Sequence, residues 1–496
     1  MDNVLFTDKL AKNCSVVAGV YSDGSLSSSA QKIDENFGGI ISRNLKKLNF
    51  VGKTLFKTCS FVADHGDYNH FILAGLGESD KKFTKFELEK LGAAIYSGVS
   101  KLDTDVVVAV EDVDLRASCD CVPAFIGFGA LLKSWNFEKY KSKKDESIKL
   151  KNLSLLTADA KIAEEYFAKL RKIADGIFLT RLVVSEPANV IYPESLAAMA
   201  KNELSPLGVE VEILETAEMK KLGMNALLAV AQGSENKPRL AVLRWNGGKK
   251  SESPVAFVGK GVTFDSGGIS LKPGDNMHEM RYDMAGSGTV LGLLKAVALN
   301  KLPVNVIGLM AMAENMPSGS AQRPGDVVKS MSGQTIETLN TDAEGRMILA
   351  DALWYAQDRF NPAAIIDLAT LTGAIVVALG HEFAGLFSNC DELADQIVKS
   401  SVATGEKVWR MPMSEHFDEG INSDVADMQN IGKPNVRGSS ITAAQFLKRF
   451  VNDKKWAHID IAGVETSVND LFICSKGATG FGVHLLYDFL CENYVK

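Results

Sequence analysis

The stretch Val255-Ala256-Phe257-Val258-Gly259-Lys260-Gly261-Val262-Thr263-Phe264-Asp265-Ser266-Gly267-Gly268 decides the fold. Its first five residues are a short apolar run, which predicts a buried strand over Val255–Gly259. From Val258 the chain turns into a glycine-rich segment carrying Lys260 and Asp265, read as a loop on top of that strand, with Lys272 and Arg281-Tyr282-Asp283-Met284 following. Apolar runs at Val209–Leu214, Leu240–Trp245, Val304–Ala311, Ala363–Leu368 and His458–Ile461 predict further strands, with helices between them over Thr289–Leu299 and Met347–Arg359. Mostly apolar strands separated by helices indicate an α/β layer structure with a largely buried sheet. Ligands of such sheets gather in loops beyond the carboxyl ends of the strands.

Working toward the amino terminus, Val16–Val20, Phe71–Leu76 and Asp105–Val110 alternate with helical patterns. The expectation is a smaller α/β domain over residues 1–156. Apolar residues at Ile162, Tyr166, Leu170, Ile173 and Ile177 recur every three or four positions, predicting a long amphipathic helix from Thr157, its cap, to about Leu182. Residues 157–186 are thus expected to link the small domain to a larger α/β domain, residues 187–496, with a mixed central sheet flanked by helices. The lysine-rich stretch Lys139–Lys151 reads as a solvated loop.

Composition narrows the function. The 496 residues carry 54 basic and 61 acidic side chains, a net charge of −7, which favours solubility and weighs against general nucleic-acid or membrane binding. The amino end, MDNVLFTDKLAKN, has neither the apolar run of a secretory signal nor the arginines of a transit peptide, so a cytoplasmic location is expected. The most apolar stretch, Ala363–Gly380, is interrupted by Asp367, Thr370, Thr372 and Gly373, and fits a buried strand followed by a helix better than a membrane span. Seven scattered cysteines without a CxxC pair read as reduced thiols. Cys119 and Cys121 lack the further ligands that a zinc site needs.

Two segments concentrate chemistry. The second is Asn340-Thr341-Asp342-Ala343-Glu344-Gly345-Arg346, just before a helix. Read as extended chain, its spacing of two places Asp342, Glu344 and Arg346 on one side. Paired carboxylates repel unless a cation lies between them, and the amides of the following helix start favour an anion beside Arg346. If both segments top neighbouring strands, Asp265, Asp283, Asp342 and Glu344 converge, and two divalent ions would balance their charge. Carboxylate oxygens suit Mg, Mn or Zn. Competing signatures are missing. His381-Glu382 and His278-Glu279 each begin HExxH, but Gly385 and Tyr282 stand where the second histidine belongs, and no GxSxG or P-loop occurs. His458, in an apolar strand, reads as a core residue.

At these segments the chain resembles the leucyl aminopeptidase (cytosol aminopeptidase) family of dinuclear metallopeptidases. NTDAEGRM is similar to the family signature NTDAEGRL, with Met347 for Leu, a swap that preserves volume. VGKGVTFDSGGISLK and MRYDMAGS match two further blocks, supported by Ala231–Ser234, Ala369–Ala374 and Ile459–Gly463. The likeness spans roughly residues 180 to 496, with a weaker echo at Trp135, Phe137, Tyr140 and Lys141; Ser185 replaces a usual Asn. The resemblance implies that Asp265 and Glu344 bridge two metals, that Asp342 completes an exchangeable site, and that Lys260 and Asp283 complete a tight one. It implies Lys272 as oxyanion stabiliser and substrate contact, with Met280 and Asp283 also touching substrate. Bicarbonate, held by Arg346, Ala343, Gly345 and Leu371, would act as general base while a metal-bridged hydroxide attacks the first peptide carbonyl. It implies a homohexamer of two stacked trimers acting on peptides with a free amino terminus. Some bacterial relatives also bind DNA, which the acidic balance disfavours here; a two-metal phosphatase and an inactive relative are the remaining alternatives.

Overall fold

The computed structural model describes residues 3–110, 121–143 and 145–495. Two compact units emerge: Met1–Ala174 with Asn469–Lys476, and Asp175–Val468 with Gly477–Lys496.

The first unit is built on six strands: β1 (Asn3–Thr7), β2 (Cys14–Val20), β3 (Thr58–His65), β4 (Tyr68–Gly75), β5 (Asp105–Ala109) and β6 (Asn152–Leu156), in the order β1-β6-β5-β2-β4-β3. All pairs are parallel except β3 with β4. Cys14–Val20 is buried throughout, as a strand covered on both faces requires. Val16, Ala18, Ile33, Ile41, Phe71 and Leu73 belong to one core under that sheet. Cys119 lies outside the described residues, so the CxC pair is described only at the buried Cys121. The lysine-rich stretch contains no helix or strand among its described residues; Lys141 pairs with Glu138 and Lys149 with Asp103.

The long helix spans Ala160–Ser185, three residues later than its sequence pattern predicted. Thr157 is not its cap. The Thr157 hydroxyl accepts from the Asp159 amide at 3.4 Å, one turn ahead of the helix.

The second unit is organised by an eight-stranded mixed sheet. Its strands are β7 (Glu210–Leu214), β8 (Arg239–Asn246), β9 (Val255–Asp265), β10 (Asn305–Asn315), β13 (Ala364–Ala369), β14 (Ala384–Ser388), β15 (Val408–Arg410) and β17 (Lys455–Asp460). A small sheet of β11 (Asp326–Lys329), β12 (Thr335–Thr338) and β16 (Met428–Gln429) lies beside it in the chain order. The main order is β15-β14-β17-β13-β9-β10-β8-β7. The four central strands β17, β13, β9 and β10 run parallel, so their carboxyl ends share one edge: Asp460, Ala369, Asp265 and Asn315. Helices Ala285–Leu299 and Gly345–Phe360 contribute long buried faces, and Val258, Leu309, Ile348, Leu353, Ile365 and Trp456 share one core. Burying side chains of this size is worth roughly 1.5–3 kcal/mol each.

The predicted strand over Val255–Gly259 proved too short. Val262, Thr263 and Phe264 are β-branched or aromatic and continue it to Asp265, so Lys260 projects from a strand rather than a loop. Gly259 has a different task. A Cβ there would sit 2.5 Å from the Gly286 carbonyl oxygen, so its absence lets the helix at Ala285 approach the sheet. The Ala363–Gly380 stretch forms β13 and the helix Gly373–Leu379, and among the described residues no helix is long and apolar enough to cross a membrane. The strands at Ala384–Ser388 and Val408–Arg410 carry little periodic signal in the sequence.

Candidate active site

The carboxyl edge of the central strands holds the polar cluster. Lys260 comes from within β9, and Asp265 is the last residue of that strand. The chain then reverses sharply. Gly267 and Gly268 take positive φ values of 86° and 69°, which suit residues without a Cβ. The Lys272 amide donates to the Ser266 carbonyl at 2.9 Å, folding the turn back so that Lys272 Nζ lies 2.9 Å from Asp265 Oδ2. Lys272 also pairs with Asp342.

The second segment does not run extended. Thr341 and Asp342 form a turn, Glu344 has helical dihedrals at the helix cap, and Arg346 already belongs to the helix Gly345–Phe360. The turn, rather than strand alternation, directs Asp342 and Glu344 together. Asp265, Asp342 and Glu344 offer carboxylate oxygens that all lie within 4.8 Å of one another. Asp283 follows the short 3-10 turn Met277–Tyr282, which also carries the half-buried Met280. It stands outside this trio and joins it through Lys260: the ammonium lies 2.8 Å from Asp283 Oδ1, 2.8 Å from Glu344 Oε1, and donates to the Thr370 carbonyl at 2.8 Å.

The two segments are stitched together. The Ser270 amide donates to Thr341 Oγ1 at 2.8 Å, the Thr341 amide donates to Ser270 Oγ at 3.1 Å, and Thr341 Oγ1 donates to the Gly267 carbonyl at 2.6 Å. Three residues hold the ligand segments without having stood out in the sequence. Asn315 Nδ2 donates to Asp265 Oδ1 and to the Thr341 carbonyl. Thr370 Oγ1 donates to Asp283 Oδ1 at 2.7 Å. Asn430 accepts from the Leu339 amide, donates to the Asn340 carbonyl and takes a bond from Arg346 on its own carbonyl. Periodicity and charge could not reveal them, since Asn and Thr are also ordinary turn and cap residues.

The electrostatics are those of a site built for cations. Burial works to depress the Lys260 pKa, but Asp283, Glu344 and Asp265 outweigh it and the net shift is upward. The same contest, with Asp265 the largest opposing charge, raises Lys272. Burial raises Asp283 well above the usual carboxylate range and raises Asp342. Four carboxylates face two ammonium groups, leaving the cluster acidic. Asp283 Oδ2 is buried with no hydrogen-bond donor. A set of hard oxygen donors, three of them within reach of one ion, fits divalent metals.

Beside the cluster, Arg346 is buried, and burial pulls its pKa down to about 10. Its Nη1 donates to the Asn430 carbonyl at 2.8 Å, while Nε is buried with no acceptor, so the guanidinium retains a donor for an anion. Ala343 is buried, and Gly345 opens the helix. The Leu371 amide is already used by Asp460 Oδ1 at 3.0 Å. His458 sits apart as a fully buried core residue, its Nδ1 2.5 Å from Asp367 Oδ1. His381 bonds the Gly463 carbonyl.

Comparison with known proteins decides the lineage. Residues 178–487 match the catalytic-domain model of the cytosol aminopeptidase family, and residues 17–144 match that family's N-terminal domain. The chain belongs to the cytosol aminopeptidase family. It is 51% identical over 429 residues to a probable cytosol aminopeptidase of Wolbachia pipientis wMel, covering 86% of this chain and 84% of the relative. It is 46% identical over 502 residues to one of Rickettsia bellii, covering the whole of both. Among solved structures, a tomato leucine aminopeptidase mutant superposes with TM-score 0.85 at 32% identity, covering 99% of this chain and 97% of that one. The bottromycin maturation enzyme BotP in complex with Mn gives 0.84 at 30% identity, covering 97% and 99%. Aminopeptidase hydrolysis is the chemistry of the family, and the acidic cluster is consistent with metal binding.

Proposed function

We propose that this chain is a leucyl-type aminopeptidase that works with two divalent ions, Mn or Zn with Mg as a further option, held by Lys260, Asp265, Asp283, Asp342 and Glu344. The observation that carries the proposal is the approach of Asp265, Asp342 and Glu344 oxygens to within 4.8 Å, from segments far apart in sequence. Bound ions would supply Lewis acidity toward the peptide carbonyl and an acidified water.

The chain's own groups have separable tasks. Asp265 and Glu344 would serve both ions, Asp342 one, and Lys260 with Asp283 the other. Lys260 would have to lose its proton to ligate, in a site whose carboxylates favour the ammonium. Lys272 keeps its charge and stabilises the negative oxygen that develops as the carbonyl is attacked. Met280 and Asp283 would contact the amino-terminal residue. Arg346, with its spare Nε, and the backbone at Ala343, Gly345 and Leu371 would hold bicarbonate, which when bound supplies a general base. The free Nε and the helix start at Gly345 support an anion there; the committed Leu371 amide would have to be shared. A homohexameric assembly is part of the same proposal, resting on the family alone.

Activity across aminoacyl p-nitroanilides, with and without a chelator, tests the reading. Hydrolysis should vanish on chelation and return with Mn or Zn, with leucine among the preferred residues. Chelator-resistant activity in protein verified as metal-free would sink it.

A further inference from the structure

Asn315 sits where the two ligand segments meet. It ends β10 directly opposite Asp265 in the parallel register, just after an irregularity between Ala313 and Asn315 that re-aims the strand end. Only 2% of its surface is exposed. Its carbonyl accepts from both the Ser266 amide at 3.0 Å and the Ser266 hydroxyl at 2.7 Å, fixing the start of the turn after Asp265. Its side-chain amide donates to Asp265 Oδ1 at 2.8 Å and to the Thr341 carbonyl at 3.0 Å, one residue before Asp342. Both amide hydrogens are therefore spent, one on each segment.

The consequence falls on Asp265. Its Oδ1 already accepts from the Gly267 amide at 2.9 Å as well as from Asn315, so that oxygen is saturated and points back into the protein. Oδ2 is the oxygen left facing the cluster, where Lys272 meets it. We infer that Asn315 is a positioning residue of the metal site: it commits Asp265 to a single oxygen toward the cations and sets the spacing between Asp265 and Asp342. This rests on the metal-dependent reading above. Groups that orient a ligand from behind are typically worth 10–100-fold in metal affinity.

The test is Mn binding to purified full-length protein after chelator treatment, by titration calorimetry and by metal analysis after dialysis. The variants are Asn315→Ala and Asn315→Ser, with circular dichroism melts as fold controls. Folded variants should bind Mn about tenfold or more weakly than wild type, and the electron paramagnetic resonance spectrum of the bound Mn should change. A folded variant with wild-type Mn affinity and an unchanged spectrum would overturn the inference. So would failure of both variants to fold, because Asn315 would then serve the fold rather than the ligands. A wild-type protein that binds no Mn or Zn would instead overturn the metal-dependent reading itself.

Discussion

Lys260 Nζ lies 2.8 Å from Glu344 Oε1, although Lys260 comes from the middle of a central strand and Glu344 caps a helix reached only after a crossover to β10. The ammonium occupies a position between carboxylates that a divalent ion would compete for. On the proposed metal-dependent reading, charge at this point would be set by proton and metal together, and the consequences can be measured.

Glu344→Ala removes the carboxylate shared by the trio and by Lys260. Hydrolysis of leucine p-nitroanilide should fall by more than about a hundredfold, the scale of losing one preorganised electrostatic partner. Lys260 keeps Asp283 and the Thr370 carbonyl, so the far-ultraviolet spectrum should remain that of the wild type. Near-normal turnover would refute the role of Glu344.

Gly345→Ala probes the same contact sterically. A Cβ on Gly345 would stand 2.7 Å from Lys260 Cδ and Cε and 2.8 Å from Nζ, so the lysine must move. Alanine is the better helix former, and global stability should change by less than about 1 kcal/mol. Metal affinity and kcat should drop together. An unchanged kcat would mean that Lys260 has room the geometry denies.

Arg346→Ala addresses the anion. In carbon-dioxide-depleted buffer, wild-type kcat should rise on adding bicarbonate. The variant should lose that response, along with about a hundredfold or more of kcat, the scale of a general base. An equal bicarbonate response in both proteins would move the anion elsewhere.

Glu406 offers a test away from the site. It is half-buried, accepts from the Gly482 and Leu485 amides, and desolvation pushes its pKa up to about 7. A carboxyl with a raised folded-state pKa binds its proton more tightly when folded. Its stabilising contribution is therefore complete below its unfolded pKa of 4.5 and is lost as pH rises through about 7. Each pKa unit is worth about 1.4 kcal/mol, so on the order of 3 kcal/mol is at stake. Glu406→Gln keeps an acceptor but carries no charge. Its melting temperature should gain on the wild type between pH 5 and pH 9, and a pH-independent gap would contradict this.

The sequence by itself determined the layer type, the central strands and the identity of the polar cluster. Unbroken apolar runs such as Val306–Ala313 can only be buried, and acidic residues beside glycines at strand ends have few structural uses. It misjudged local geometry where two explanations shared one pattern. Asp342, Glu344 and Arg346 at a spacing of two read as extended chain, yet the turn at Thr341 and the helix at Gly345 place them. The end of β9 was hidden because Gly259 and Gly261 mimic a loop while serving close packing. Only the tertiary structure decided that four carboxylates meet two lysines, and that Asn315, Thr370 and Asn430 aim them. The reason is physical: strand order and hydrogen-bond direction arise from contacts distant in sequence, and no local periodicity encodes them.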